Sequence, residues 1–172
     1  MNPSNIVLYE AEYLRLKSIL VMTQRDLRAD LVLLIDRSGH QIAAEGPAHG
    51  IDMTALSSLA AANIAATDGL ARLVGEPEFS ILYHQGKHRS IHISDVAKRF
   101  SLVVVFDESV ALGMVRLRVK RATAYLEEIL RSFLRKTEAV PTATKAAPGS
   151  APPIYFTDED IDKLFSSLKP GS

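Results

Sequence analysis

Two stretches of this chain are apolar almost throughout: Leu31-Val32-Leu33-Leu34-Ile35, and the run from Phe100 to Phe106. Both are too short for a good helix and rich in strand-forming residues. A strand that is apolar at successive positions, rather than at alternate ones, is covered on both faces. The run from Phe100 to Phe106 is therefore read as a central strand. With 47% apolar and 23% charged residues the chain can fill such a core, and global disorder is excluded. Its 172 residues suit one domain of ordinary size with some length to spare.

The flanking segments supply the other elements. From Ile6 to about Leu27, Tyr9, Tyr13, Leu16, Leu20 and Leu27 recur at helical spacing, with Glu10, Glu12, Arg15 and Lys17 on the other side. After Ile35, Asp36-Arg37-Ser38-Gly39 has a turn-forming Asp and a Gly suited to the left-handed position, and Gln41-Ile42-Ala43-Ala44 continues as the second arm of a hairpin. Asp52 is the predicted N-cap of a second helix that stops at Gly75, before Pro77. Phe79 to His84 and Arg89 to Ser94 read as a hairpin around Gly86. If His84 faces His88, then Phe79, Ile81 and Tyr83 oppose Ile93, Ile91 and Arg89. Ser109 is the predicted cap of a third helix, whose apolar positions Leu112, Val115, Val119, Ala122, Leu126, Ile129 and Phe133 step by three and four. The prediction is an α+β domain over 6–136, with order α-β-β-α-β-β-β-α and a five-stranded antiparallel sheet.

Composition narrows the function classes. Lys plus Arg and Asp plus Glu each number 20, so the basic excess usual for phosphate-binding proteins is missing and nucleic acid is not an expected partner. The absence of cysteine excludes disulfides, thiolate metal sites and cysteine nucleophiles. No apolar run approaches the roughly 20 residues of a membrane helix, and the start Met1-Asn2-Pro3-Ser4-Asn5 lacks signal-peptide character. A soluble, cytoplasmic protein without membrane insertion is expected. Walker, nucleophile-elbow and zincin motifs do not occur. His84, His88 and His92 are spaced by four, but the strand assignment separates them. No cofactor, metal or catalytic residue is assigned.

The second helix carries a different signal. Ser58, Ala61 or Ala62, Ala65 and Gly69 form a stripe almost without side chains. A glycine inside a helix costs about 1 kcal/mol relative to alanine, so Gly69 calls for a packing reason. The stripe either packs closely on its own sheet or a symmetry mate, or is a platform for another protein. Leu56, Asn63, Thr67 and Leu70, with Leu59 and Ala60 beside them, are expected to face the core. Arg116, Arg118, Lys120 and Arg121 on the third helix form either a solvated face or a dock for an acidic partner.

Residues 137–156 read as a flexible linker rich in Ala and Pro, and 157–168 as a short amphipathic helix. Thr157 and Asp160 approximate a capping box, and Ile161, Leu164, Phe165 and Leu168 share one face. Such a tethered segment either buries its apolar face in a partner groove or folds back onto its own domain.

These features together resemble a known family. The hairpin Leu33-Leu34-Ile35-Asp36-Arg37-Ser38-Gly39-His40-Gln41-Ile42 is similar to the signature of roadblock domains. Asp52 to Ala66, Leu112 to Arg121 and the tail from Phe156 to Phe165 resemble the MglB polarity regulators within that family, so the likeness runs from about Tyr9 to Phe165. The resemblance implies a homodimeric GTPase-activating protein for a small Ras-like GTPase of the MglA type, controlling bacterial polarity and motility without an arginine finger. It implies a platform from paired second helices, with Ser58, Ala61, Ala62, Ala65 and Gly69 as contacts. It also implies a tail that binds the GTPase through Ile161, Leu164, Phe165 and Leu168 and influences nucleotide exchange. Concentration at a cell pole by a recruitment protein fits the same resemblance. The alternative is a non-catalytic roadblock scaffold that assembles partner proteins.

Overall fold

The computed structural model describes residues 10–138, with side chains through residue 132. Its elements are α1 (Glu10–Leu27), β1 (Leu31–Asp36), β2 (Gln41–Glu45), α2 (Met53–Leu73), β3 (Ile81–Gln85), β4 (Arg89–Val96), β5 (Phe100–Asp107) and α3 (Leu112–Glu138). The five strands form one sheet in the order β2-β1-β5-β4-β3, with every pairing antiparallel. The predicted fold class is the observed one. The linker and tail helix lie outside the described residues, apart from 137 and 138, which continue α3.

The two apolar runs, β1 and β5, pair at the middle of the sheet, with Leu33 opposite Val103 and Leu31 opposite Val105. Their side chains alternate between two cores. Val32, Leu34, Leu102, Val104 and Phe106 pack with Leu16, Leu20 and Leu27 of α1 and Val115, Val119, Leu126 and Leu130 of α3. Leu31, Leu33, Ile35, Val103 and Val105 face the other way, with Ile93 of β4 and Ala60 and Ala61 of α2. The sheet is thus a middle layer between α1/α3 and α2. Each fully buried Leu, Val or Phe contributes about 1.5–3 kcal/mol relative to exposure, so two-sided burial makes the central pair the most heavily stabilised part of the chain.

The first hairpin closes as its residues predict. The Asp36 carboxylate accepts from the backbone N–H of Ser38 and His40 at 2.8 and 2.9 Å, and Gly39 takes φ +85°. A side chain on Gly39 would also press on the backbone of Ser57 and Ser58 at 3.1 Å, so this turn sits directly against α2.

The second hairpin differs from its predicted register by three residues. Tyr83 pairs with His92 and Leu82 with Ile93, so Phe79, Ile81 and Tyr83 do not oppose Ile93, Ile91 and Arg89. The reason lies in the turn. Gly86 N–H donates to the Arg89 carbonyl at 3.0 Å, leaving Lys87 and His88 as a two-residue loop. A Cβ on Gly86 would fall 2.3 Å from that oxygen, so Gly86 belongs to the closing pair rather than to the turn's centre. The strand itself begins at Ile81, two residues after Phe79.

Ser109 does not cap α3. Asp107 accepts from both the N–H and the hydroxyl of Ser109, and the helix begins only at Leu112, with Val115 N–H donating to Ala111. The Asp107 turn takes up the serine hydroxyl before a helix can use it.

Pairing with Val104 of β5 puts His92 on the α1/α3 side of the sheet. It is almost fully buried; its Nδ1 lies 3.3 Å from the Ser94 hydroxyl and its Nε2 has no partner among the described residues. Desolvation, with the nearby Arg116 charge adding to it, lowers its pKa from 6.5 to about 4. Because the unfolded chain binds this proton more readily, the stability associated with neutral His92 is complete above pH 6.5. It is lost as pH falls from there towards 4. Relative to a His92→Gln variant, the native protein is expected to lose about 2 kcal/mol of unfolding free energy between pH 7 and pH 5. Urea titrations at both pH values would measure this, and parallel losses in the two proteins would contradict it.

Candidate functional site

Helix α2 is delimited by its own residues. Asp52 caps its start, accepting from Ala55 N–H at 2.9 Å. At its end Glu76 N–H donates to Ala71 and Gly75 N–H to Arg72, the paired bonds of a Schellman ending, with Gly75 at φ +78°.

Of the residues expected to face inward, Ala60 and Thr67 are buried and Leu56 packs against the core, but Leu59 and Leu70 do not. The buried side comprises Ser57, Ala60, Ala61, Thr67 and Ala71, with Met53, Leu56 and Ile64 partly buried beside them. The Ser57 and Thr67 hydroxyls donate back to the carbonyls of Met53 and Asn63, so neither is left unsatisfied. Leu59 and Leu70, expected in the core, are instead 69% and 57% exposed, and Leu73 and Val74 are 84% and 67% exposed. The cause is the sheet row beneath. Leu31, Leu33, Ile35, Val103 and Val105 already fill that layer with large side chains, so the helix approaches with alanines.

The small-residue stripe is split between the two sides. Ala61 points inward against the Gly39 turn, while Ser58, Ala62 and Ala65 are exposed. Gly69 has open space where a Cβ would stand, so no packing within the described residues explains it. The outer face of α2 therefore runs Ala55, Leu59, Ala62, Ala66, Leu70, Leu73, with Ser58, Ala65 and Gly69 alongside. That spacing of three and four was visible in the sequence, but on a helix apolar nearly all round it did not identify the outer side. Each such leucine left in water forgoes about 1.5–3 kcal/mol of burial. An apolar face of this kind marks an interaction surface.

The face adjoins the sheet edge. Phe79 and Ile81 are exposed at β3, the outermost strand. Between them and α2 lies a cleft of about 20 Å³ lined by Thr67, Asp68, Phe79, Leu82, Asp95 and Ser101. It is far below the roughly 300 Å³ of a small-ligand pocket. Its polar groups hold elements together. Arg37 bonds Asp68 of α2 at 3.0 Å and Asp95 of β4 at 3.4 Å, and its Nε donates to the Lys98 carbonyl at 3.2 Å. Burial raises the Asp95 pKa, opposed by the Lys98 N–H bond and by Arg37. Lys98 in turn pairs with Glu78.

The remaining candidates lie elsewhere. His84 is exposed on β3 opposite Ile91, His88 is in the turn, and His92 is buried on the other sheet face. Of the basic cluster on α3, Arg118 pairs with Asp26 of α1 at 3.1 Å, while Arg116, Lys120 and Arg121 are exposed across the sheet from α2. Ile161, Leu164, Phe165 and Leu168 fall outside the described residues. No helix among the described residues is long and apolar enough to cross a membrane.

Comparison with known proteins locates this architecture. The Roadblock/LC7 domain model matches residues 17–106. Among solved structures, MglB of Myxococcus xanthus is 40% identical, with 74% of this chain and 96% of that one covered and a TM-score of 0.70. The gliding protein MglB from Thermus thermophilus is 37% identical over 77% and 99% of the two chains, with a TM-score of 0.71. An MglB in a tetrameric arrangement is also 37% identical over 77% and 99% of the two chains, with a TM-score of 0.72. No curated protein matches.

Gly69 offers a direct test of this geometry. Gly69→Ala is expected to stabilise the fold by about 0.5–1 kcal/mol, because the backbone is helical and nothing occupies the Cβ position. Denaturant midpoints would show it, and a loss of stability would mean that Gly69 packs closely within the fold.

Proposed function

This chain belongs to the Roadblock/LC7 domain family, and from that premise we propose that it is a homodimeric GTPase-activating protein of the MglB type. Its partner is a small Ras-like GTPase of the MglA type, in the control of bacterial polarity and motility. The observation that carries the reading is the outer face of α2, which is exposed, apolar and short of side chains, on a scaffold similar to MglB. In this reading Ser58, Ala62, Ala65 and Gly69 touch the partner, and Ala61 supports them from beneath.

Dimerisation follows from the same surfaces. Leu59, Leu70 and Leu73 on α2 and the open β3 edge beside Phe79 and Ile81 are liabilities that a two-fold partner removes. Light scattering is expected to give twice the 18.8 kDa chain mass. A monomer at micromolar concentration would count against the dimer.

The chemistry of α2 limits the mechanism. From Ala55 to Leu70 the helix has no Lys, Arg or His, and neighbouring Arg37 is held by Asp68 and Asp95. In this reading no arginine finger acts on the transition state: the exposed Arg72 stands in the last turn of α2, beyond the small-residue stripe. The surface accelerates hydrolysis by seating the GTPase so that the GTPase's own switch and catalytic side chains reach their working positions. The tail, through Ile161, Leu164, Phe165 and Leu168, adds a second contact on the same GTPase and acts on nucleotide exchange. The regulator works in the cytoplasm, gathered at a pole by a recruitment protein.

Phosphate release from the cognate GTPase, with and without this protein, tests the reading. Acceleration is expected, whereas none at any ratio would leave a non-catalytic roadblock scaffold. Ala65→Arg with Gly69→Arg is expected to abolish the acceleration while leaving the circular dichroism spectrum and thermal midpoint close to native. Ala65 is exposed and Gly69 has open space at its Cβ position, so unfolding would place the stripe in the core instead.

A further inference from the structure

The α1/α3 layer covers the sheet but carries an uncovered groove of its own. Ile19 and Met22 of α1 and Ala122 and Tyr125 of α3 line it, together with Arg118 and Arg121, and its volume is about 140 Å³. Met22 and Tyr125 are exposed, as are Leu14 and Leu117 on the same two helices. Arg118 is offset by Asp26, but among the described residues no carboxylate pairs with Arg121.

We propose that this groove is the resting site of the chain's own segment 157–168. Three observations favour that occupant. The first is pattern: Ile161, Leu164, Phe165 and Leu168 recur at one face of a helix, the shape an apolar inter-helix groove accepts. The second is charge. The segment carries Asp158, Glu159, Asp160 and Asp162 against a single Lys163, and in the groove it meets Arg121. The outer face of α2 has no Lys, Arg or His from Ala55 to Leu70 to meet those carboxylates. The third is reach. From Tyr125 to Glu138 along α3 is roughly 20 Å at 1.5 Å per residue. The residues from 139 to 156 extend to roughly 60 Å at about 3.3 Å each, ample to turn back along the helix. Tethering raises the segment's local concentration to about the millimolar range, so weak intrinsic docking suffices.

The docking does not depend on the GTPase reading, and it is tested on the free full-length chain. Because the chain has no cysteine, Ser166→Cys, on the side away from the apolar face, takes a single nitroxide label. Paramagnetic broadening is then read on backbone amides. The amides of Met22, Arg121 and Tyr125 are expected to lose most of their signal, while those from Leu59 to Leu73 keep theirs. Leu164→Asp with Phe165→Asp in the tail is expected to restore the groove signals, as is Met22→Glu with Tyr125→Glu in the groove. If the groove variant folds poorly, the tail variant, which leaves the described domain untouched, decides alone. Unbroadened groove signals would overturn the proposal, as would broadening centred on α2 and β3. So would broadening passed from labelled chains to isotope-labelled chains in a mixed sample, which would assign the groove to a second copy.

Discussion

The pairing of β1 with β5 places ten or so apolar side chains alternately on two sides of the sheet, and neither side tolerates water. Everything else is arranged to cover those two faces. On one side α1 and α3 bring Leu16, Leu20, Leu27, Leu126 and Leu130, large residues that meet the strand side chains over a deep layer. On the other, α2 covers Leu31, Leu33, Ile35, Val103 and Val105 with Ala60 and Ala61 at the centre and the half-buried Met53, Leu56 and Ile64 around them. The difference in helix chemistry has a consequence for the surface. A helix that turns its small residues inward leaves Leu59, Leu70 and Leu73 outward, so the face offered to a partner arises from how the core is filled.

Ion pairs orient α2 more than they stabilise it. Arg37 leaves the first hairpin turn and joins Asp68 on the helix to Asp95 on β4, at a partly exposed site where each pair is worth about 1 kcal/mol or less. Its value is geometric. With Gly39 lying against the backbone of Ser57 and Ser58, the same short turn holds α2 at its first half and towards its end. Arg89 does a similar service at the other end of the strands, bonding Asp30 at 2.9 Å and the His49 carbonyl at 3.3 Å. The partner face of α2 is thereby carried on a fixed support, which suits a protein whose proposed work is to position the groups of another.

Much of the fold was legible because its signals are local. The first hairpin, the Asp52 cap, the Gly75 ending and the helical periodicity of α1 and α3 each depend on residues within a few positions of one another. Where two local devices competed, the reading failed. Gly86 looks like the centre of a turn but closes a tighter one at Lys87 and His88, and a shift of three residues reverses which faces meet. At Ser109 the hydroxyl was available both to a helix start and to Asp107, and the shorter loop took it. Of the candidate site, the stripe's membership was visible but its direction was not, and Ala61 and Ala62 proved to face opposite ways.

By itself the sequence determined an α+β domain with two doubly covered strands, since continuous apolar runs between amphipathic helices call for a sheet with helices on both faces, while its likeness to roadblock domains rested on the hairpin and helix motifs. Only the tertiary structure decided which side of α2 is offered outward, that His92 lies buried with no partner for Nε2 among the described residues, and that a groove opens between α1 and α3. The physical reason is the same in each case. Periodicity states that a helix or strand has faces, but burial is settled by the volume already filled across the layer, and that volume belongs to residues far away in the chain.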